Sequence, residues 1–241
     1  MQKELVLDFE DYKDKGLYLI FPDSTKLTLT RAAIERSVDL FWKDPNKIPS
    51  SIKEAAGFQK CDFCPLKDQP DMCHALRPTM PFLDIVDKYV SYSEVIAVFK
   101  READMVHVAQ TTMQDALKFV SILSLVYYCE TGKKYWTYFY GINPLMDAQE
   151  IATRFYLNVF MLHDGDRQSI DRLLTAFRDE ITLASQNQAV RLNMVCKNDA
   201  FGNAFANTQV TSLILSMNME EALKASFAEF EKRRQPQIPS Y

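Results

Sequence analysis

Residues 105–129 read M-V-H-V-A-Q-T-T-M-Q-D-A-L-K-F-V-S-I-L-S-L-V-Y-Y-C, and the spacing of their apolar side chains changes partway through. From 105 to 110 valines alternate with polar residues, the period of a strand with one buried face. From Met113 onward the apolar positions recur as they do on a helix, and Gly132 marks the end of a helix predicted over Met113–Cys129. Upstream, V-S-Y-S-E-V-I-A-V-F-K (90–100) is a second strand, joined to the first by the charged turn R-E-A-D.

Working toward the N-terminus, residues 3–9 and 16–21 are apolar or alternating runs that predict a β-hairpin with Gly16 near its turn, and 26–30 predicts a third short strand. Thr30 then caps a helix from Arg31 to about Trp42, which Asp44-Pro45 stops. Toward the C-terminus, Asp147-Ala-Gln-Glu150 has the form of a capping box and opens an apolar helix to about Leu162. The break His163-Asp-Gly-Asp-Arg follows, with Asp166 placed to cap a helix continuing toward Val195. Another helix begins near Phe201, and Asn218-Met-Glu-Glu221 is a second capping box ahead of a last helix that ends in Lys232-Arg233-Arg234. Strands before about residue 110 and helices after it make an α+β fold. The expected organisation is a hairpin-plus-helix region (1–44), a Cys-loop, hairpin and helical domain (45–234) and a flexible tail (235–241).

Six of the ten prolines fall between residues 45 and 81, which predicts irregular connecting structure with few hydrogen bonds of its own. Within it lies C-D-F-C-P-L-K-D-Q-P-D-M-C-H (61–74), holding three of five cysteines and one of three histidines. The Cys61-x2-Cys64 pair has the spacing by which a turn brings two thiolates onto one metal ion, and Cys73 adds a third. Free cysteines are commonly buried, but so polar a segment has little core to bury them in. His74 is one candidate for the fourth ligand, although neighbours in an extended chain point to opposite sides. Cys129, at a helix end, is the other, brought in by tertiary packing.

C-x2-C-P-L…C, S-Y-S-E-V, T-T-M-Q and the helix-ending cysteine together resemble an uncharacterised bacterial family. The likeness runs on through Glu150-x3-Arg154 and Asp199-Ala-x2-Asn203-Ala204, and so covers about residues 55–215. That family ends the helix with Ser-Gly-Cys-Pro, where this chain reads Tyr128-Cys129-Glu130. The resemblance places Cys129 ahead of His74 as fourth ligand and implies no activity.

The remaining candidates have plainer accounts. Cys196 stands apart from other ligand types and reads as a buried structural thiol. His107 fits a sheet face, and His163-Asp164 a helix-ending turn. Glu150 and Arg154, four apart on a helix, can pair across one turn; on a buried helix they would line a pocket or tie helices together. The run Tyr135-Trp136-x-Tyr138-Phe139-Tyr140 is core or interface packing.

The composition, 47% hydrophobic and 25% charged over 241 residues, is that of a globular chain, and a net charge of −4 offers no general attraction to nucleic acid or anionic lipid. The longest apolar stretch is interrupted by Lys118, Ser121 and Ser124 and falls short of the roughly 20 residues of a membrane span. The N-terminus is acidic where a secretory signal is basic, so cytoplasmic, reduced thiols are expected. No G-x-G-x-x-G, G-K-[ST] or H-E-x-x-H occurs, and the zinc-deaminase order of proline before the cysteine pair is reversed.

Three functions follow. The first is a non-enzymatic protein-binding or regulatory module with a structural zinc, its partner a protein or a second copy of the chain. The second is a zinc hydrolase with an open coordination position, and the third an iron–sulfur or thiol redox sensor. The first is the expected one.

Overall fold

The structure is a computed structural model that describes residues 12–69, 72–101 and 105–216. The expected strand at 3–9, residues 102–104 of the R-E-A-D turn, the capping box at 218, the basic helix end and the tail lie outside the described residues.

Four antiparallel strands form one sheet in the order β2-β1-β3-β4: β1 (Gly16–Ile20), β2 (Lys26–Thr30), β3 (Glu94–Lys100) and β4 (Val106–Thr112). β1 pairs with β2 on one side (Leu19 opposite Leu27) and with β3 on the other (Leu19 opposite Ala97). Every residue of β1 is buried, so both faces of this central strand are covered. Successive side chains alternate between faces: Leu17 and Leu19 enter the main core, while Tyr18 and Ile20 join Tyr12 and Val98 in a small cluster on the other side. Gly16 has φ +144°, and a Cβ there would stand 2.6 Å from Thr30 Cα, so the entry to β1 requires glycine.

The helices are α1 (Arg31–Trp42), α2 (Ser50–Gly57), the single turn α3 (Leu83–Val86), α4 (Met113–Leu123), α5 (Ala148–Leu162), α6 (Arg167–Asn193) and α7 (Ala200–Ser216). The expected caps at Thr30, Asp147 and Asp166 are present, and Thr112 caps α4 as well. Thr30 accepts from Ala33 N (3.2 Å), Thr112 from Asp115 N (3.4 Å) and Asp166 from Ser169 N (3.0 Å). Asp147 and Glu150 form the reciprocal capping box, each bond 2.8 Å. α7 packs against α4, α5 and α6, with Ser121 Oγ 2.5 Å from Thr208 Oγ1 and Ser185 Oγ donating to Phe205 O (2.6 Å). Among the described residues, no helix is long and apolar enough to cross a membrane.

Three expectations change. The segment after residue 45 is less irregular than its prolines imply, because Pro49 stands at the start of α2, where a missing N–H is no loss, and Ile52, Ala55 and Ala56 are buried. The helix over Met113–Cys129 does not stay α-helical: from Ser124 to Tyr128 it widens into a π-helical turn. Finally, the boundary at residue 44 runs within one sheet and one core, since β1 lies between β2 and β3 and the main cluster extends from Leu17 to Phe205.

Candidate metal centre

Four of the five cysteines converge. Cys61, Cys64, Cys73 and Cys129 line one cavity of about 20 Å³, and His74 borders it. All five cysteines are free thiols.

Local hydrogen bonds place the first three. Cys64 N donates to Cys61 O (2.9 Å) and Lys67 N to Cys64 O (3.0 Å), two successive turns that bring residues 61 and 64 to the same side. Cys73 N donates to Ala56 O (2.9 Å), tying the far end of the loop to the last turn of α2. Lys60 Nζ closes the loop from below, donating to Leu66 O (2.8 Å) and to Gln69 O.

Cys129 arrives from the other half of the chain. Its N–H donates to Ser124 O (3.0 Å), the wide bond that defines the π-turn, and Ser124 Oγ donates to Ala75 O in the short turn after Cys73. Such widened turns recur where a helix must re-aim a side chain. The backbone reverses immediately afterwards, and a Cβ on Gly132 would fall 1.7 Å from Leu125 O, so only glycine permits the approach. Burial pushes the Cys129 thiol up to about 12, while the N–H groups of Gly132 and Thr131 act on the sulfur in the opposite sense. Burial also raises Cys61.

The long helix α6 forms the back wall and supplies polar groups to the sulfurs. Asn187 Nδ2 is 3.4 Å from Cys61 Sγ, and Gln188 Nε2 is 3.1 Å from Cys73 Sγ. Arg191 is wholly buried; it donates through Nε to Phe58 O (2.7 Å), through Nη1 to Cys73 Sγ (3.3 Å) and through Nη2 to Gln59 O. Among the described residues no carboxylate pairs with this guanidinium, and the buried Gln188 Oε1 has no hydrogen-bond partner. A buried cation costs several kcal/mol in lost hydration unless an anion accompanies it. The groups placed to provide that anion are the thiols.

Among the described residues, no set of three or more Cys, His, Asp or Glu side chains already stands at metal-ligand geometry. The convergence of the four cysteines is set by the backbone, whereas sulfur positions depend on χ1, which turns each Sγ about its Cα–Cβ bond without moving the chain. The buried guanidinium, the orphaned amide oxygen and the all-sulfur donor set fit a thiolate-bound cation. The cavity has room for about one water-sized occupant.

His74 is engaged elsewhere. Its Nδ1 is 3.0 Å from Glu130 Oε1, and Glu130 also pairs with Lys133. A carboxylate on one ring nitrogen is the usual setting of a ligating histidine as well as of an outer partner, and among the described residues nothing bonds Nε2, so His74 stays at the border of the site.

The other candidates lie away from the cavity. Glu150 is used by the capping box, and it and Arg154 are exposed, with no ion pair between them among the described residues. His107 is exposed on β4, and His163 caps α5 with Nε2 3.1 Å from Tyr138 Oη. Cys196 is half-buried, its thiol raised to about 12 by burial and then by Asp87. The S-Y-S and D-A-x2-N motifs do meet: Asp199 accepts from Ser91 N (2.8 Å), Ser91 Oγ (2.9 Å) and Asn203 Nδ2 (2.9 Å), clamping the entry to β3 onto α7.

Sequence reasoning missed Asn187, Gln188 and Arg191. The signal was present, since Gln188 and Arg191 continue the buried stripe Phe177, Ile181, Ala184 of α6, and polar residues on such a stripe mark a partner for them.

No protein-family model matches the chain, and no curated protein or solved structure shows a significant similarity to it.

Proposed function

We propose that Cys61, Cys64, Cys73 and Cys129 hold one zinc ion, and that its role is architectural within a cytoplasmic protein-binding or regulatory module. One observation carries this reading: thiols from three separate segments line a cavity of about 20 Å³ backed by a buried guanidinium that has no carboxylate partner among the described residues. Zinc bound there would supply cross-linking energy, joining the loop after α2 to the π-turn that ends α4. Binding energies on the order of 10–16 kcal/mol in zinc-finger peptides indicate how strongly such a joint can act. Charge favours four thiolates over three and a histidine. Four thiolates on Zn²⁺ leave two negative charges, which Arg191 and Lys60 together balance. A multi-iron cluster with its own sulfides is larger than the space available.

The interaction role is supported by exposed apolar side chains at the end of α5, Phe160 (46%), Met161 (63%) and Leu162 (59%), beside Trp136 and Tyr140. Patches of this kind mark contact surfaces more often than they occur by chance. A second copy of the chain is the simplest partner, and sedimentation velocity of wild type against Met161→Glu tests it.

The metal reading is tested by aerobic purification, metal analysis and visible absorption of wild type, Cys129→Ser, His74→Ala and Cys196→Ser. One zinc per chain, lost in Cys129→Ser and kept in the other two, is the expected result. Iron with charge-transfer bands would replace zinc by the redox reading. Zinc retained in Cys129→Ser with a titratable bound water would favour the hydrolase.

A further inference from the structure

A second cavity, independent of the cysteines, opens between α1 and the π-turn. It measures about 140 Å³ and is walled by Ile34, Phe119, Leu123, Tyr127, Tyr128 and Trp136. Tyr127 meets both aromatic neighbours edge to face, Tyr128 at 5.2 Å and 78°, and Trp136 at 5.4 Å and 63°, so the rings form walls instead of stacking shut. A cavity of about 150 Å³ with apolar walls is known to accept a benzene-sized guest, so this one takes a single ring.

The mouth sets the chemistry of the rest of the guest. Arg31, the first residue of α1, lies over the Tyr127 ring (5.1 Å to its centroid), with Nη2 donating to Tyr127 Oη (2.6 Å) and Nε donating to Glu35 Oε1 (2.8 Å). These use two of the five guanidinium N–H groups. Accepting from Arg31 leaves the Tyr127 hydroxyl a proton of its own to donate, and among the described residues no acceptor takes it. Apolar walls with unspent charged and hydroxyl donors at the rim complement a planar ring that carries an anionic acceptor.

We propose that this cavity is a binding site for a small aryl carboxylate, its ring between Tyr127, Tyr128 and Trp136 and its carboxylate on Arg31 and the Tyr127 hydroxyl. The Arg31–Glu35 pair (2.8 Å) is the internal competitor that a ligand carboxylate partly replaces. No cysteine lines this cavity.

The test is titration of the full-length protein with benzoate, followed by the indole N–H resonance of Trp136, with benzamide and benzamidine as neutral and cationic controls of the same shape. A saturable shift with Kd on the order of 1 mM is expected for a ligand of this size. Benzoate binds about tenfold tighter than benzamide, the worth of one charge-assisted contact. Arg31→Ala removes that preference, Tyr127→Phe weakens benzoate binding, and Glu35→Gln strengthens it by removing the competing negative charge from Arg31. Leu123→Phe, which fills the cavity, abolishes binding while a thermal melt shows the fold retained. Should Leu123→Phe fail to fold, the two surface variants at 31 and 35 decide alone. Benzamidine binding as tightly as benzoate, an unchanged affinity in Arg31→Ala, or no saturable shift well above that concentration overturns the assignment.

Discussion

Replacing Arg191 by Met separates a charge-compensating role from an ordinary structural one. The side chain has 0% exposure and makes three hydrogen bonds, to Phe58 O, Gln59 O and Cys73 Sγ. Methionine keeps the stem but removes the donors to two part-buried carbonyls and one of the two donors to Cys73 Sγ, which Gln188 still reaches, a cost of about 1–3 kcal/mol in all in either metal state. If the thiols carry a metal, a further cost appears only in the loaded protein, because the negative charge on the sulfurs loses its buried counter-charge. Outer partners of metal ligands are typically worth about 10–100-fold in affinity, or about 1.4–2.8 kcal/mol. For a chain of this length that is a loss in Tm of roughly 3–11 °C beyond the loss seen after chelation. Thermal melts of both proteins with and without a strong chelator give the difference, and competition with a chromophoric chelator gives the affinity ratio independently. A thermodynamic cycle requires the two to agree. Equal destabilisation with and without metal would refute charge compensation, and an unchanged metal affinity would remove Arg191 from the site.

Gly132→Ala sets a Cβ 1.7 Å from Leu125 O, so it should lower Tm more than any other glycine substitution here and weaken metal retention with it. Gly57→Ala meets nothing within 4 Å at the end of α2 and should instead raise stability by about 0.4–1 kcal/mol in urea unfolding. Ser124→Ala removes the bond from the π-turn to Ala75 O and should cost about 1 kcal/mol while loosening Cys129, detected as faster metal release. Asp199→Asn should cost about 0.5–1.5 kcal/mol at neutral pH, because a neutral amide accepts more weakly than a carboxylate from the Ser91 donors. The Ser91 donors hold the Asp199 carboxyl below its ordinary 3.8, so its contribution is present above that value and lost as pH falls through the lower folded one. Stability of Asp199→Asn should therefore fall less steeply below pH 4 than that of wild type, and parallel curves would dismiss the clamp.

Much of the fold was legible because its signals are local. Thr30, Thr112, Asp147 and Asp166 each cap the helix that their side-chain chemistry favours, and the change of period at Thr112 sits where β4 gives way to α4. The π-turn left no such mark. Ser124–Tyr128 is as apolar as the helix before it, and what accompanies its widening is a contact with Ala75, remote in sequence, and the close pass of Gly132 on Leu125 O, which no periodicity signals. The pairing of β1 with β3 was hidden for the same reason, since 16–20 and 94–100 are brought together by a core that no short window contains.

For the site, the sequence by itself determined the inventory and the local half: a Cys61–Cys64 turn, a third thiol at Cys73, and a cysteine closing a helix. Spacing within one turn fixes direction, so that much needs no partner. Only the tertiary structure decided that Cys129 reaches the same cavity, that His74 turns to Glu130, and that α6 lays Arg191 behind the sulfurs. Those outcomes depend on how helices pack across the core, where one residue of register, such as that added by a π-turn, moves a side chain from one face to another.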